Sequence, residues 1–205
     1  MPPKSQDIRL GYFNQTTGED YGPTVKQNIA HSLMQFRYRG FGGAVGGSKT
    51  AWGVQEAIKL SAMYPGNRGL MGRNLLKDVE DNVVPELLKW LPPQLRVHHR
   101  GENRISLWNG SIIDYKSLED SEALLGPEYG WVFVDQGEQV KVESARNLDG
   151  RIRLNDAGRL ANIREAGLDT KDVGFTPGIR HYFLTTANPG PGWFKDWFIE
   201  DALPT

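Results

Sequence analysis

The chain has 205 residues, of which 39% are hydrophobic and 24% charged, enough for one sizeable globular core. Lys and Arg number 24 against 25 Asp and Glu, a formal charge of −1 that excludes global attraction to nucleic acid, so any such contact must come from local patches. The absence of cysteine excludes disulfides and thiolate metal sites and agrees with a reducing cytoplasm; no apolar run reaches membrane-spanning length, and Met1-Pro2-Pro3-Lys4 does not begin a signal peptide.

Residues 1–22 are polar and glycine-containing and read as a flexible N-terminal arm. The four-residue steps of Val25, Ile29 and Leu33 predict a helix over 23–36 with an apolar face. A short strand over 37–41 runs into a glycine cluster. A helix over 50–63 follows, stopped by Pro65-Gly66. Next come a strand over 69–72 and a helix over 75–91, ended by Pro92-Pro93. Asn109-Gly110, flanked by 104–108 and 111–115, predicts a hairpin with a two-residue turn. Trp131 to Val134 form a continuous apolar run, as expected of a strand covered on both faces. Residues 155–177 are polar and poorly periodic and read as a lid or surface excursion. A last strand spans 181–186. Strands alternating with helices predict an α/β fold with a mostly parallel sheet flanked by helices.

The first chemical signal is Gly42-Gly43-Ala44-Val45-Gly46-Gly47-Ser48-Lys49-Thr50, placed between a strand and a helix. This is the context of a phosphate-binding loop. Glycines at Gly43, Gly46 and Gly47 let backbone N–H groups turn toward phosphate oxygens, with Ala44, Val45 and Ser48 contributing their own. The positive end of the following helix points at the same place. Lys49 is expected to reach the β- and γ-phosphates, and the Thr50 hydroxyl to hold Mg²⁺. One position departs from the usual pattern. Ser48 stands where Gly-x-x-x-x-Gly-Lys-Ser/Thr has its second glycine. The bland alternative is a glycine-rich turn with an incidental Lys-Thr.

The second signal is Asp135 at the end of the apolar strand, followed by Gln136-Gly137-Glu138. An acid there lies at the carboxyl edge of the sheet, where ligands of open α/β sheets bind. Asp135 suits the metal. Hydrolysis also needs a group that activates water, a task for a carboxylate. Glu138 is the first choice for the base. Gln136, which cannot take a proton but can orient water, is the second.

The third signal is His181-Tyr182-Phe183-Leu184-Thr185-Thr186-Ala187-Asn188-Pro189. It resembles the coupling motif of phage large terminases, in which Thr-Thr-x-Asn-Pro senses the nucleotide state. Gly72-Arg73 after a short strand, and the Asn109-Gly110 hairpin after a helix ending in Leu-Pro, are similar to segments of the same family. Gln27, within Pro23-Thr24-Val25-Lys26-Gln27, falls where that family carries an adenine-recognising glutamine. The resemblance extends from about residue 22 to 198.

It implies a P-loop NTPase of the additional-strand (ASCE) type over residues 23–205 that uses ATP and Mg²⁺, with Thr185, Thr186 and Asn188 coupling hydrolysis to movement. Family members join this domain to a ribonuclease-H-like nuclease domain; this chain stops soon after the coupling motif and leaves no later acidic cluster for nuclease metals, so an isolated ATPase domain is expected here. The implied partners are double-stranded DNA, a portal protein, a small terminase subunit and further copies in a ring, working in the host cytoplasm at the procapsid portal vertex. Such rings often take an arginine from the neighbouring subunit. The stretch before Asp135, Leu124-Leu125-Gly126-Pro127-Glu128, contains none, and Arg73, Arg146, Arg151 and Arg153 are the candidates. Another P-loop motor such as a helicase is the first rival, opposed by the Thr185–Pro189 segment. A nucleotide-binding assembly module with little turnover is the second, favoured by Ser48 and Gln136. The basic stretch Arg96, His98, His99, Arg100 and Arg104 reads as a solvated face before it reads as a DNA contact. Adjacent histidines on a strand point to opposite faces, which argues against a zinc site at His98-His99.

Overall fold

The computed structural model describes residues 10–43 and 48–200. Helix α1 (Val25–Ser32) precedes strand β1 (Tyr38–Gly42), helix α2 (Lys49–Met63) and strand β2 (Arg68–Arg73). A helical stretch follows: α3 (Leu76–Asp78), a π-helical segment Val79–Val83 and α4 (Val84–Trp90). Strands β3 (Arg96–His99), β4 (Arg104–Leu107), β5 (Ile112–Ser117) and β6 (Trp131–Val134) come next. Helices α5 (Val142–Asp149) and α6 (Asp156–Glu165), strand β7 (Tyr182–Ala187) and helix α7 (Trp193–Phe198) complete the order.

The strands form one seven-stranded sheet in the order β1-β7-β6-β2-β5-β4-β3. β1, β7, β6, β2 and β5 are parallel, while β4 and β3 add antiparallel at one edge. β7 lies between the strand that enters the glycine loop and the strand that ends at Asp135. That insertion defines the additional-strand type of P-loop fold.

Alternation along the strands builds two cores. Met71, Trp131, Phe133 and Leu184 face one shared with α2 and α4. Leu70, Val132, Val134 and Phe183 face the other, shared with α5 and α7, where Trp193 and Trp197 are buried. Burial on both sides explains why the run Trp131–Val134 carries no polar residue. Helix α2 approaches β6 closely at Gly53, where a β-carbon would come within 2.0 Å of the Phe133 ring. A buried charge cluster joins α1 and β1 to α2: Glu56 pairs with Arg39 at 2.6 Å and also with His31 and Lys59. Burial alone would push the Glu56 carboxyl up, but the His31 hydrogen bond and the charges of Arg39 and Lys59 outweigh it and hold it below its ordinary range.

Several expectations are corrected. The stripe of Val25, Ile29 and Leu33 faces solvent; Val25 is 76% exposed, and α1 buries Gln27 and Ala30 instead. A capping box between Thr24 and Gln27, together with the bond from Gln27 to the start of α2, sets this rotation. Residues 10–22 are held rather than loose. Phe13 bridges Asp20, the Gln15 N–H bonds to the Lys89 carbonyl at 2.8 Å, and Gln55 bonds to the Gly11 carbonyl at 2.9 Å. The excursion over 155–177 contains α6 and packs at the amino-terminal edge of the sheet, away from the glycine loop. Its fully buried Arg159 bonds to the carbonyls of Pro65 and Thr176, which fastens it there. The expected 75–91 helix contains a π-helical segment in which the Val84 N–H reaches back to the Val79 carbonyl. Pro85, without an N–H, follows directly, and the wider turn lets the helix continue past it. Edge strand β3 carries no periodic signal, since Arg96, His98 and His99 are polar and only Val97 is apolar.

Candidate nucleotide site

Parallel pairing aligns the carboxyl ends of β1, β7, β6 and β2 along one edge. The register decides which side chains meet there. Val134 pairs with Thr185 on one side and with Gly72 on the other, so the next residue, Asp135, lies between Thr186 and Arg73. Asp135 is 1% exposed and collects donors from three elements. Thr50 at the start of α2 bonds to its Oδ2 at 3.0 Å, the Thr186 hydroxyl donates to Oδ1, and Arg73 Nε donates to Oδ2 at 2.7 Å, joined there by Nη2. A hydroxyl and a carboxylate this close are hard oxygen donors of the kind Mg²⁺ prefers. The donor set therefore fits the metal expected at Thr50 and Asp135.

A second chain of contacts crosses the site. Lys49 Nζ donates to the Gly43 carbonyl at 2.9 Å and to Asn188 Oδ1 at 3.0 Å. Asn188 Nδ2 donates to Glu138 Oε1 at 2.7 Å. Only this orientation of the amide satisfies both neighbours, its oxygen toward the cation and its NH₂ toward the carboxylate. Glu138 Oε2 is buried and has no hydrogen-bond partner among the described residues. Lys49, Asn188 and Glu138, taken from α2, the end of β7 and the turn after β6, thus share one amide.

The chain turns sharply directly after β6. Gln136 adopts a left-handed conformation at φ 57 and ψ 53, and Gly137–Gln139 form a 3₁₀ turn. The backbone N–H of Gln136 bonds to the Thr186 hydroxyl at 3.1 Å, which holds this unusual conformation. Glu138 therefore reaches the site through a turn and not by sharing a strand face with Gln136. Thr185 supports the turn from below, since a β-carbon on Gly137 would come within 2.6 Å of its hydroxyl. Trp193 Nε1 bonds to the Val140 carbonyl at 2.8 Å and closes the turn from the far side.

Of the glycine loop, Ala44, Val45, Gly46 and Gly47 lie outside the described residues. Ser48, in place of the usual glycine, is left-handed at φ 53 and ψ 32. An L-residue pays roughly 1 kcal/mol for this conformation, which glycine adopts freely. Ser48→Gly is expected to leave stability unchanged or raise it by up to about 1 kcal/mol, as read by denaturant unfolding. A loss of stability would show that the serine side chain makes a contribution larger than its strain.

Gln27 is 2% exposed and both ends of its amide are engaged: Oε1 accepts from the Thr24 N–H at 2.8 Å and Nε2 donates to the Ser48 carbonyl at 3.0 Å. It ties α1 to the entrance of α2. The arginine candidates separate. Arg73 is inside the site of its own chain, bonded to Asp135, which corrects the expectation that it is available to a neighbour. Its position beside Asp135 follows from register and has no local signal in the sequence. Arg146 is exposed on α5. Arg151 accepts the Tyr129 N–H at 2.9 Å through its carbonyl, and Arg153 pairs with Glu128 at 2.8 Å, so both lie beside the residues that lead into β6, at the sheet edge opposite the nucleotide loop. His98 and His99 turn to different partners, Tyr115 and Ser106.

Strand order, glycine loop and Asp135 define the chain as a P-loop NTPase fold of the additional-strand type. Solved structures make the likeness more particular: the fold is that of phage large terminase ATPase domains. The large terminase of a thermophilic bacteriophage superposes with a TM-score of 0.62 at 14% identity, covering 86% of this chain and 42% of that one. The same protein in complex with ADP gives 0.63 at 14% identity, covering 87% of this chain and 43% of that one. The large terminase ATPase domain of a Thermus phage gives 0.59 at 15% identity, covering 87% of this chain and 70% of that one. The chain thus spans less than half of the first of these proteins. No family model and no curated protein sequence matches it.

Proposed function

We infer that the chain is a Mg²⁺-dependent ATPase of the large-terminase kind, which drives double-stranded viral DNA into a procapsid. The observation that carries this reading is the Asn188 amide shared by Lys49 and Glu138 beside the Thr50–Asp135 pair. The thermophilic phage terminase, solved with ADP and with ATP-γ-S, supports nucleotide binding by this fold. Lys49 holds the β- and γ-phosphates. Thr50 and Asp135 hold Mg²⁺, which when bound neutralises phosphate charge. Glu138 takes the proton of the attacking water, its free Oε2 being the acceptor. Asn188 reports the state of Lys49 to Glu138: a γ-phosphate that draws Lys49 away leaves the amide free to release the carboxylate. Gln27 stands near the loop as the candidate for adenine, through the second N–H and the second lone pair that its bonds to Ser48 and Thr24 leave over. An arginine from a neighbouring copy in a ring, Arg146 being the exposed candidate nearest in chain order to Asp135, completes the catalytic set. A portal protein and a small terminase subunit are the further partners, at the procapsid portal vertex in the host cytoplasm.

Packaging has to proceed along any sequence, so DNA contacts should go to phosphates and not to base edges. The test is steady-state ATP hydrolysis with and without linear duplex DNA over a salt series. Hydrolysis together with weak, salt-sensitive, sequence-independent DNA binding is the expected result. Tight binding to one defined sequence, or no hydrolysis under any condition, would overturn the reading. The second outcome, with nucleotide binding retained, would favour an assembly module with little turnover, for which Gln136 directly after Asp135 already speaks.

A further inference from the structure

We propose that Arg73 is a built-in competitor of the divalent cation at Asp135, so that metal loading and the freeing of this arginine are one event. The inference rests on the nucleotide-site reading above. Arg73 ends β2, and its place is set by the sheet: its carbonyl accepts the Leu118 N–H at 2.8 Å, while the Asp135 N–H bonds to the Gly72 carbonyl at 2.9 Å. The two residues stand in register on adjacent parallel strands, so their side chains leave the sheet on the same face. Arg73 is 8% exposed. Nε and Nη2 both bond to Asp135 Oδ2, and Nη2 lies 3.5 Å from Thr50 Oγ1. The guanidinium therefore touches both groups that suit a cation, and it uses the carboxylate oxygen that also accepts the Thr50 hydroxyl.

Two cations cannot share that oxygen without mutual repulsion, which is strong between groups this deeply buried. A divalent cation between Thr50 and Asp135 must weaken or displace the Arg73 pair. The released guanidinium is rigid, permanently charged and forked, and the oxygens of a bound nucleotide are anionic acceptors that match it. Arg73 thus neutralises Asp135 before loading and becomes a donor for phosphate after it. It acts within its own chain and is distinct from any arginine supplied by a neighbour.

The test compares nucleotide affinity with and without metal. ADP binding is measured by calorimetry in magnesium and in EDTA, for the wild type, Arg73→Gln and Arg73→Lys, with the unfolding midpoint as a check on folding. In Arg73→Gln, metal-free ADP should bind much more weakly, because Asp135 is left without its neutralising cation beside the phosphates; the magnesium-loaded form loses one phosphate donor but no longer has to displace the arginine, so it should be affected far less. The ratio of the two dissociation constants should therefore rise by about tenfold or more. Arg73→Lys, which keeps the charge but not the fork, should give an intermediate ratio. A purely structural arginine would weaken both forms alike. An unchanged or smaller ratio in folded Arg73→Gln overturns the proposal while leaving the nucleotide site in place. If the glutamine variant does not fold, the lysine variant decides by the same ratio. Failure of the wild type to bind ADP under either condition would instead overturn the nucleotide-site reading and this inference with it.

Discussion

Lys49→Ala is expected to lower ATP turnover by at least about 10²-fold, the loss typical of removing one preorganised donor from developing charge. The effect has two sources. The ammonium that faces the phosphates is gone, and so is the donor to Asn188 Oδ1, 3.0 Å away. Without that donor the amide no longer has a fixed orientation, and its grip on Glu138 loosens. The variant should fold, since Lys49 opens α2 and contributes nothing to either apolar core. Hydrolysis is followed by phosphate release, binding by calorimetry and folding by thermal unfolding. Unchanged hydrolysis in a folded Lys49→Ala protein would sink the assignment of the glycine loop.

Glu138→Gln should remove most turnover, about 10²-fold or more for a lost general base, and keep nucleotide binding. The glutamine fills the same space and still accepts from Asn188 through its carbonyl oxygen, so the geometry survives and only the proton acceptor is lost. Gln136 provides the comparison. If it orients water as a glutamine does in some GTPases, its replacement should be the more severe of the two. Gln136→Ala carries a complication, because residue 136 sits at φ 57 and alanine resists that conformation. Gln136→Asn avoids it, since asparagine tolerates the left-handed region. Single-turnover rates of the three variants separate the roles. Glu138 as base predicts a large loss only in Glu138→Gln. A mild Glu138→Gln beside a severe Gln136→Asn would transfer the role to Gln136.

Local chemistry is sufficient for much of this molecule. The glycine cluster before Lys49-Thr50 identifies a break between a strand and a helix, because a run so rich in glycine sustains neither element, and β1 does end at Gly42 and α2 start at Lys49. The run Trp131–Val134 identifies a strand covered on both faces because no polar side chain interrupts it. Thr185, Thr186 and Asn188 are recognisable by their order. Each of these signals is contained in a few consecutive residues. Contacts between distant segments are not legible in this way. Arg73 and Asp135 are 62 residues apart, and nothing near either one announces the other; the register of β2 against β6 joins them. Asn188 meets Lys49 across 139 residues because β7 inserts next to β1. Periodicity over residues 23–36 predicts a buried apolar stripe, yet the bond from Gln27 to Ser48 turns that stripe outward. The excursion over 155–177 reads as free to cover the site, and one buried arginine holds it at the opposite edge. Periodicity and motif residues are properties of neighbours along the chain, and they determined most of the element types and the strand–glycine run–helix order. Rotation of a helix, register of a strand and the meeting of charges depend on partners far away in sequence, and only tertiary packing decides them.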